Sequence, residues 1–442
     1  MQAQMQRQAE PEMMIQAANA APRLNIAKRV AFRFAFAYFA LYIIPFPLEL
    51  LPFTTTLIEK YNALWQAIVP WVGRHILHLS YEITVFPNGS GDTTFNYVQV
   101  LFFLAAAAAA AAVWSVLDRR RPGYERLYQW LRVFVRFYLA SAMIGYGAFK
   151  IIPIQMPAPS LARLIEPYGD SSPMGLLWTF VGASKGFEIF TGCAEMLGGL
   201  LLLLPRTTLL GALICLADTV QIFILNMCYD VPVKLFSSHL LILSLFLIAP
   251  DLKRLANMFF LNRGVEAATL PEHFQRKWLN RGVLALQIVF GLYLVGSSFN
   301  EAYKGSNLYG EGAPKPPFYG IWMVEEFSVD GQPRPPLLTD APRWQRVIFQ
   351  SPGALTIQPM SGPNQRFKLE LDMENKTLSL GKQDDPEWKA EFSFQEKEPE
   401  LITVEGEIEG HKTFARLARF DESRFLLRNR GFHWIQEYPF NR

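Results

Sequence analysis

Stretches of about twenty mostly apolar residues recur along this chain, at 30–53, 95–117, 133–154, 174–204, 207–227, 231–249 and 279–299. A helix of that length crosses the hydrocarbon layer of a bilayer, where every backbone N–H and C=O must find its partner inside the protein. The pattern predicts an α-helical integral membrane bundle of about seven spans, with the lipid bilayer as its first partner. Composition agrees, because 51% of the 442 residues are hydrophobic and 14% aromatic, a balance that soluble domains seldom reach. A net charge of +3 is too small to argue for nucleic acid. Cys193, Cys215 and Cys228 form no C-x-x-C pair and no metal-ligand spacing, which argues against a dithiol catalyst or structural zinc. His75 and His78 lack an acidic partner at ligand spacing, so no metal is expected there either.

The basic residues decide orientation. Lys28, Arg29 and Arg33 stand at the first span, Arg119, Arg120, Arg121, Arg126 and Arg132 lie between the second and third, and Arg206 follows the fourth. Lys253, Arg254, Arg263, Arg276, Lys277 and Arg281 fill the gap before the seventh, whereas the opposite loops carry only Lys60, Arg74, Arg163 and Lys234. The positive-inside rule then puts the N-terminus in the cytoplasm and the C-terminal domain outside a bacterial cytoplasmic membrane.

Six segments are expected. Residues 1–27, rich in Gln, Ala and Met without the pattern of a signal peptide, read as a disordered cytoplasmic tail. Residues 28–132 hold two spans and, from Leu57 to Ile76, a helix with Trp65 and Trp71 lying in the outer interface. Thr or Asp in NGSGDTT should cap the second span, and the alanines at 105–112 should permit close helix contact. A four-helix membrane unit occupies 133–251, a cytoplasmic loop and last span 252–299, and a Gly- and Pro-rich linker 300–318. Beyond it, at 319–442, eight or nine short alternating segments separated by turns predict an antiparallel β-barrel. Gly320–Ile321–Trp322 reads first as an aromatic core residue at a barrel end; it is also similar to the opening of lipocalin-type barrels, with Arg428 or Arg430 on a last strand at 423–434 positioned to cover the tryptophan. The apolar C-terminus, with Phe432, Trp434, Ile435, Tyr438 and Phe440, is expected to cap this barrel.

Polar residues inside the spans point to chemistry, because a carboxylate facing lipid costs several kcal/mol. Glu188 and Glu195 lie seven residues apart and leave one helix face. Counting about 1.5 Å per residue from the cytoplasmic ends sets Glu195, Asp218 and His239 roughly 15–18 Å deep, near the midplane. A second layer of Glu188, Lys150, Asn226, Asp230 and Lys234 lies nearer the outer surface. Two readings stand side by side. The groups can be interhelical ties, Glu188 with Lys150 or Lys185 and Asp218 with His239. Alternatively Glu195, Asp218 and His239 exchange protons with a ligand, while the outer layer and Trp178 help to bind it.

The stretch FEIFTGCAEMLGGLLLLLPRTTLLGALICL, followed by NMCYDVPVKLFSSHLLILSLFLIAPD, resembles the DoxX family of membrane proteins, named after subunits of thiosulfate:quinone oxidoreductase. LIEPYGDSSPMGLLWTF and RGFHWIQEYPFNR resemble a long subgroup with extra spans and an extracytoplasmic domain. The resemblance implies a four-helix core working beside a quinone pool, and therefore a membrane subunit of a quinone-linked oxidoreductase. No haem, iron–sulfur or dinucleotide motif is present, so electrons would come from a redox partner. The alternatives are a protein that binds or moves a lipid-like small molecule, and an assembly scaffold for an exported partner.

Overall fold

A computed structural model of the protein describes residues 25–268 and 274–441, so the expected N-terminal tail lies almost wholly outside the described residues. The chain forms two compact units. One holds the chain up to Phe149 together with Thr191–Phe299; the other holds Lys150–Phe190 and everything from Asn300 onward.

The first unit is helical. Helix α1 (Ile26–Ile43) is capped by the Asn25 side chain, and α2 (Thr55–His75) carries Pro70 in its interior. Helix α3 (Thr94–Leu117) begins in a capping box between Thr93 and Asn96, as NGSGDTT led one to expect. Its alanine run does serve close packing, since Ala107 and Ala111 are buried beside α1. Helix α4 (Glu125–Ile151) starts in this unit and ends in the other. Later come α7 (Lys185–Leu202), which begins in the other unit, α8 (Thr208–Cys228), α9 (Lys234–Ile248), α10 (Leu252–Phe259) and α11 (Lys277–Tyr309), which ends in the other unit. Glycines set the spacing of α4 against α7: a Cβ on Gly147 would fall 2.8 Å from the Gly192 carbonyl oxygen and 2.9 Å from the Met196 nitrogen.

Five helical stretches are long and apolar enough to cross a membrane: Ile26–Leu50, Thr94–Leu117, Thr208–Cys228, Lys234–Phe259 and Lys277–Tyr309. The apolar stretch at 174–204, expected as one span, is broken. Between Ser160-capped α5 (Leu161–Leu164) and α7 comes α6 (Pro173–Gly182), only ten residues long, which ends at Gly182–Ala183. Ser184 then opens α7, its Oγ accepting from the Phe187 N–H. Gly182 sits where a Cβ would collide with the Pro157 carbonyl oxygen, so local backbone packing turns the chain where hydropathy runs on.

The second unit is built around an antiparallel barrel of β1 (Gly320–Val329), β3 (Trp344–Ser351), β4 (Ala354–Pro359), β5 (Gln365–Asp372), β6 (Thr377–Gly381), β7 (Lys389–Glu398), β8 (Leu401–Ile408) and β9 (His411–Arg419). Each strand pairs with the next and β1 closes on β9, with a bulge at Glu325; the two-residue β2 (Gln332–Pro333) pairs only with β1. Alternation selects the inner face, seen in β7, where Ala390, Phe392 and Phe394 point inward. Eight strands leave room for side chains, and Trp322, Phe349, Phe392, Ile402 and Leu417 help to fill it.

Three expectations about this unit are corrected. Trp322 is buried and donates to the Phe318 carbonyl at 2.8 Å, while Arg428 turns to Glu422 and to the Pro159 carbonyl. The expected strand at 423–434 is a 3₁₀ turn (Glu422–Arg424) and a short helix, α12 (Leu426–Asn429), because by then β9 has already closed on β1 and leaves no open edge to join. The apolar C-terminus does not cap the barrel: Phe432, Trp434, Ile435 and Tyr438 are all more than three-quarters exposed. The outer seat is taken instead by Leu161 of α5, fully buried with Ile321 and Ile348 and surrounded by Tyr319, Phe420 and Phe425.

Candidate functional site

The helical unit contains a cavity of about 400 Å³ lined by Tyr42, Tyr61, Tyr138, Tyr146, Asn96, Gln99 and apolar groups including Phe103 and Phe236. Tyr42 comes from the last turn of α1, Tyr138 and Tyr146 from α4, and Asn96 and Gln99 from the start of α3. Tyr138 and Tyr146 are eight residues apart, a little over two turns, so they share one face of α4. The Tyr42 and Tyr138 rings meet edge to face, with centroids 6.2 Å apart. Tyr61 donates to the Ile44 carbonyl at 2.8 Å and so closes one wall.

Behind Tyr42 stands His239 of α9, its ring stacked at 3.9 Å and nearly parallel. One ring nitrogen, Nδ1, lies 2.6 Å from the Leu235 carbonyl oxygen, and the other, Nε2, lies 2.6 Å from the Tyr38 hydroxyl. A carbonyl can only accept, which assigns the proton to Nδ1 and leaves Nε2 to accept from Tyr38 in the neutral ring. His239 is therefore not tied to Asp218, contrary to the first of the two sequence readings. The cause is rotational: both of its ring nitrogens are already engaged by its own preceding turn and by α1.

Glu195 of α7 is 3% exposed. It lies near Tyr146 of the cavity wall and near Cys215, which Asp218 also approaches. Cys215 is buried where α7 and α8 come close, within 2.8 Å of where a Cβ on Gly198 would stand. Glu195 and Asp218 thus both lie near Cys215, Glu195 also near Tyr146, and His239 stacks on Tyr42.

The outer-layer residues behave differently. Asn226 is buried and donates to Ser237 Oγ at 3.0 Å, joining α8 to α9. Lys234 reaches Asp230 at 2.8 Å and Asp92 at 3.8 Å, while the Asp92 carboxylate accepts from the backbone N–H groups of Lys234 and Leu235 and caps α9. Glu188, Lys150 and Trp178 belong to the second unit. There Glu188, 1% exposed, accepts from the Met156 N–H at 3.0 Å, close enough for the charge of buried Lys150 to act on it. Lys185 pairs with Glu311 at 2.6 Å rather than with Glu188. Trp178 donates to the Gln155 carbonyl at 3.1 Å. His75 stacks on Trp71, and among the described residues no group of three or more His, Cys, Asp or Glu side chains gathers as a metal site.

Sequence reasoning passed over the tyrosines. Tyr38 and Tyr42 at i, i+4 and Tyr138 and Tyr146 at i, i+8 carried a signal, a phenol repeat on one face of each apolar helix, but aromatic residues are so common here that it did not stand out.

Among known proteins, the chain is similar to the uncharacterized protein YwoB of Bacillus subtilis (strain 168), with 31% identity over 133 residues, covering 28% of this chain and 79% of YwoB. The chain belongs to the family of YwoB. No protein-family model matches it, and neither does any solved structure. Kinship with YwoB, which carries no stated activity, leaves the tyrosine cavity as the chief guide to function.

Proposed function

We propose that this chain is the membrane component of a quinone-linked redox system, with a DoxX-like four-helix core in a bundle of about seven spans, working with a partner that supplies electrons. In this reading the N-terminus lies in the cytoplasm and the β domain outside a bacterial cytoplasmic membrane. The observation that carries the reading is the cavity that puts the Tyr42, Tyr138 and Tyr146 side chains on its wall with His239 behind them. A quinone headgroup is planar and presents two carbonyl acceptors; phenol hydroxyls are donors matched to them, and a volume of about 400 Å³ lies in the range of small-molecule sites. Reduction to the quinol takes two electrons from the partner and two protons; His239, stacked on Tyr42, and Glu195, toward Tyr146, are groups able to exchange protons.

The rival reading, a site for a lipid-like molecule without redox chemistry, uses the same cavity and its apolar lining. Mass spectrometry of small molecules retained after gentle detergent extraction separates the two. An isoprenoid quinone retained by the native protein and lost from a Tyr42→Phe, Tyr138→Phe double variant is the expected result. Retention of phospholipid alone, with no quinone in either protein, would hand the cavity to the second reading.

A further inference from the structure

Two arginines at one end of the helical unit take no part in the cavity. Arg132 and Arg136 are one turn apart on α4 and so leave the same face. Arg136 is only 5% exposed. One of its terminal nitrogens donates to Gln287 Oε1 on α11 at 2.7 Å, and the other reaches Thr208 Oγ1, at the start of α8, at 3.4 Å. Its guanidinium also stands 5.1 Å from the Phe137 ring. Arg132, half-buried, makes a long contact of 3.4 Å to the Leu247 carbonyl and stands 5.9 Å from the Tyr128 ring.

None of these partners carries a negative charge. The Nε of each arginine is buried without a hydrogen-bond partner, and among the described residues the charge that acts on Arg136 is that of Arg132, a second cation. A buried guanidinium without a counter-charge costs several kcal/mol, and a like charge beside it adds to that. The start of α8 raises the local potential further, because no side chain caps it and its first N–H groups carry the positive end of the helix dipole. Among the described residues the helices thus gather a cationic cluster in which no carboxylate bonds to either guanidinium, Glu125 and Asp251 reaching only the Tyr128 ring beside Arg132.

We propose that Arg132 and Arg136, with the α8 N-terminus, bind a phosphate-class anion, in its membrane form the headgroup of an anionic phospholipid. Guanidinium forks match phosphate oxygens in geometry, and basic sites between membrane helices favour anionic headgroups whose chains can lie along the neighbouring helices.

The test uses the full chain purified in detergent, titrated with phosphatidylglycerol, phosphatidylcholine or inorganic phosphate, with melting temperature and native mass spectrometry as readouts. Phosphatidylglycerol should remain bound and raise the melting temperature, phosphatidylcholine should not, and Arg136→Gln should weaken phosphatidylglycerol binding by about tenfold. Arg132→Gln, at the half-buried position, should weaken it in the same direction and serves where Arg136→Gln fails to assemble. Stabilisation of the native protein by inorganic phosphate, lost in Arg132→Gln, would assign the same site to a soluble phosphate. Equal responses to the two lipids, or phosphatidylglycerol binding unchanged in Arg132→Gln, would overturn the proposal.

Discussion

Glu188 and Glu195 leave one helix seven residues apart, yet their surroundings give them different work. Glu188 accepts a backbone N–H from Met156 and faces the charge of Lys150, so its carboxylate holds a turn in place. Replacing it by Gln removes the charge beside a buried lysine, at a cost of roughly 2 kcal/mol, and should reduce folded yield in the membrane. Glu195→Gln keeps size and shape but cannot give up a proton. Yield should stay near that of the native protein while quinone or ligand turnover falls; an assembly defect in Glu195→Gln with normal yield for Glu188→Gln would reverse the assignment. Tyr38→Phe tests the imidazole in a similar way. It removes one hydrogen bond, worth about 1 kcal/mol, and should shift the pH dependence of turnover because Nε2 of His239 loses its donor. On the barrel, the His411 ring and the Lys412 N–H hold the Asp330 carboxyl below the usual carboxylate range. A depressed carboxylate contributes stability that is present above its unfolded value and is lost as pH falls through its folded one. The melting temperature of the barrel should therefore drop on acidification below the ordinary carboxylate range, and Asp330→Asn should flatten part of that slope.

At the scale of elements, contact between α4 and α7 depends on the lack of a side chain at Gly147. A methyl there meets backbone atoms of Gly192 and Met196, which cannot swing aside. Gly147→Ala should lower thermal stability by several degrees in detergent, whereas Gly145→Ala, with open space around it, should change little. Helix α5 makes the comparable contribution in the other unit. Leu161 is fully buried against Ile321 and Ile348, and Leu161→Ala should destabilise that unit by about 2–5 kcal/mol, measured by melting of the full chain. A near-zero effect would mean that the loop between α4 and α6 merely rests on the strands. The C-terminal segment makes the opposite case, since its aromatic residues are exposed and removal of 431–442 should leave the barrel's β-sheet circular dichroism intact.

For the whole molecule, five helical stretches meet the length and hydropathy of a membrane span and a closed barrel follows them. The expected orientation is tested by reporter fusions at Arg121, Lys253 and Lys376, of which the first two should report cytoplasm and the third the opposite side. One-dimensional pattern carries the apolar length of the helices, the period-two alternation of the strands, the Thr93 cap and the alanine contact on α3. Eight strands close the barrel where eight or nine alternating segments were expected, because which face is apolar is a local property. It also picked out Glu195, Asp218 and His239, because charge in an apolar run is visible without a structure. Their partners came from packing between helices. Whether His239 meets Asp218 or Tyr38 is a matter of helix rotation, on which residue spacing along one helix is silent. The break after Gly182 was hidden for a related reason, since it arises from the approach of the Pro157 backbone, and the exposed C-terminus was misjudged because a barrel already closed by β1 and β9 has no edge left to cover.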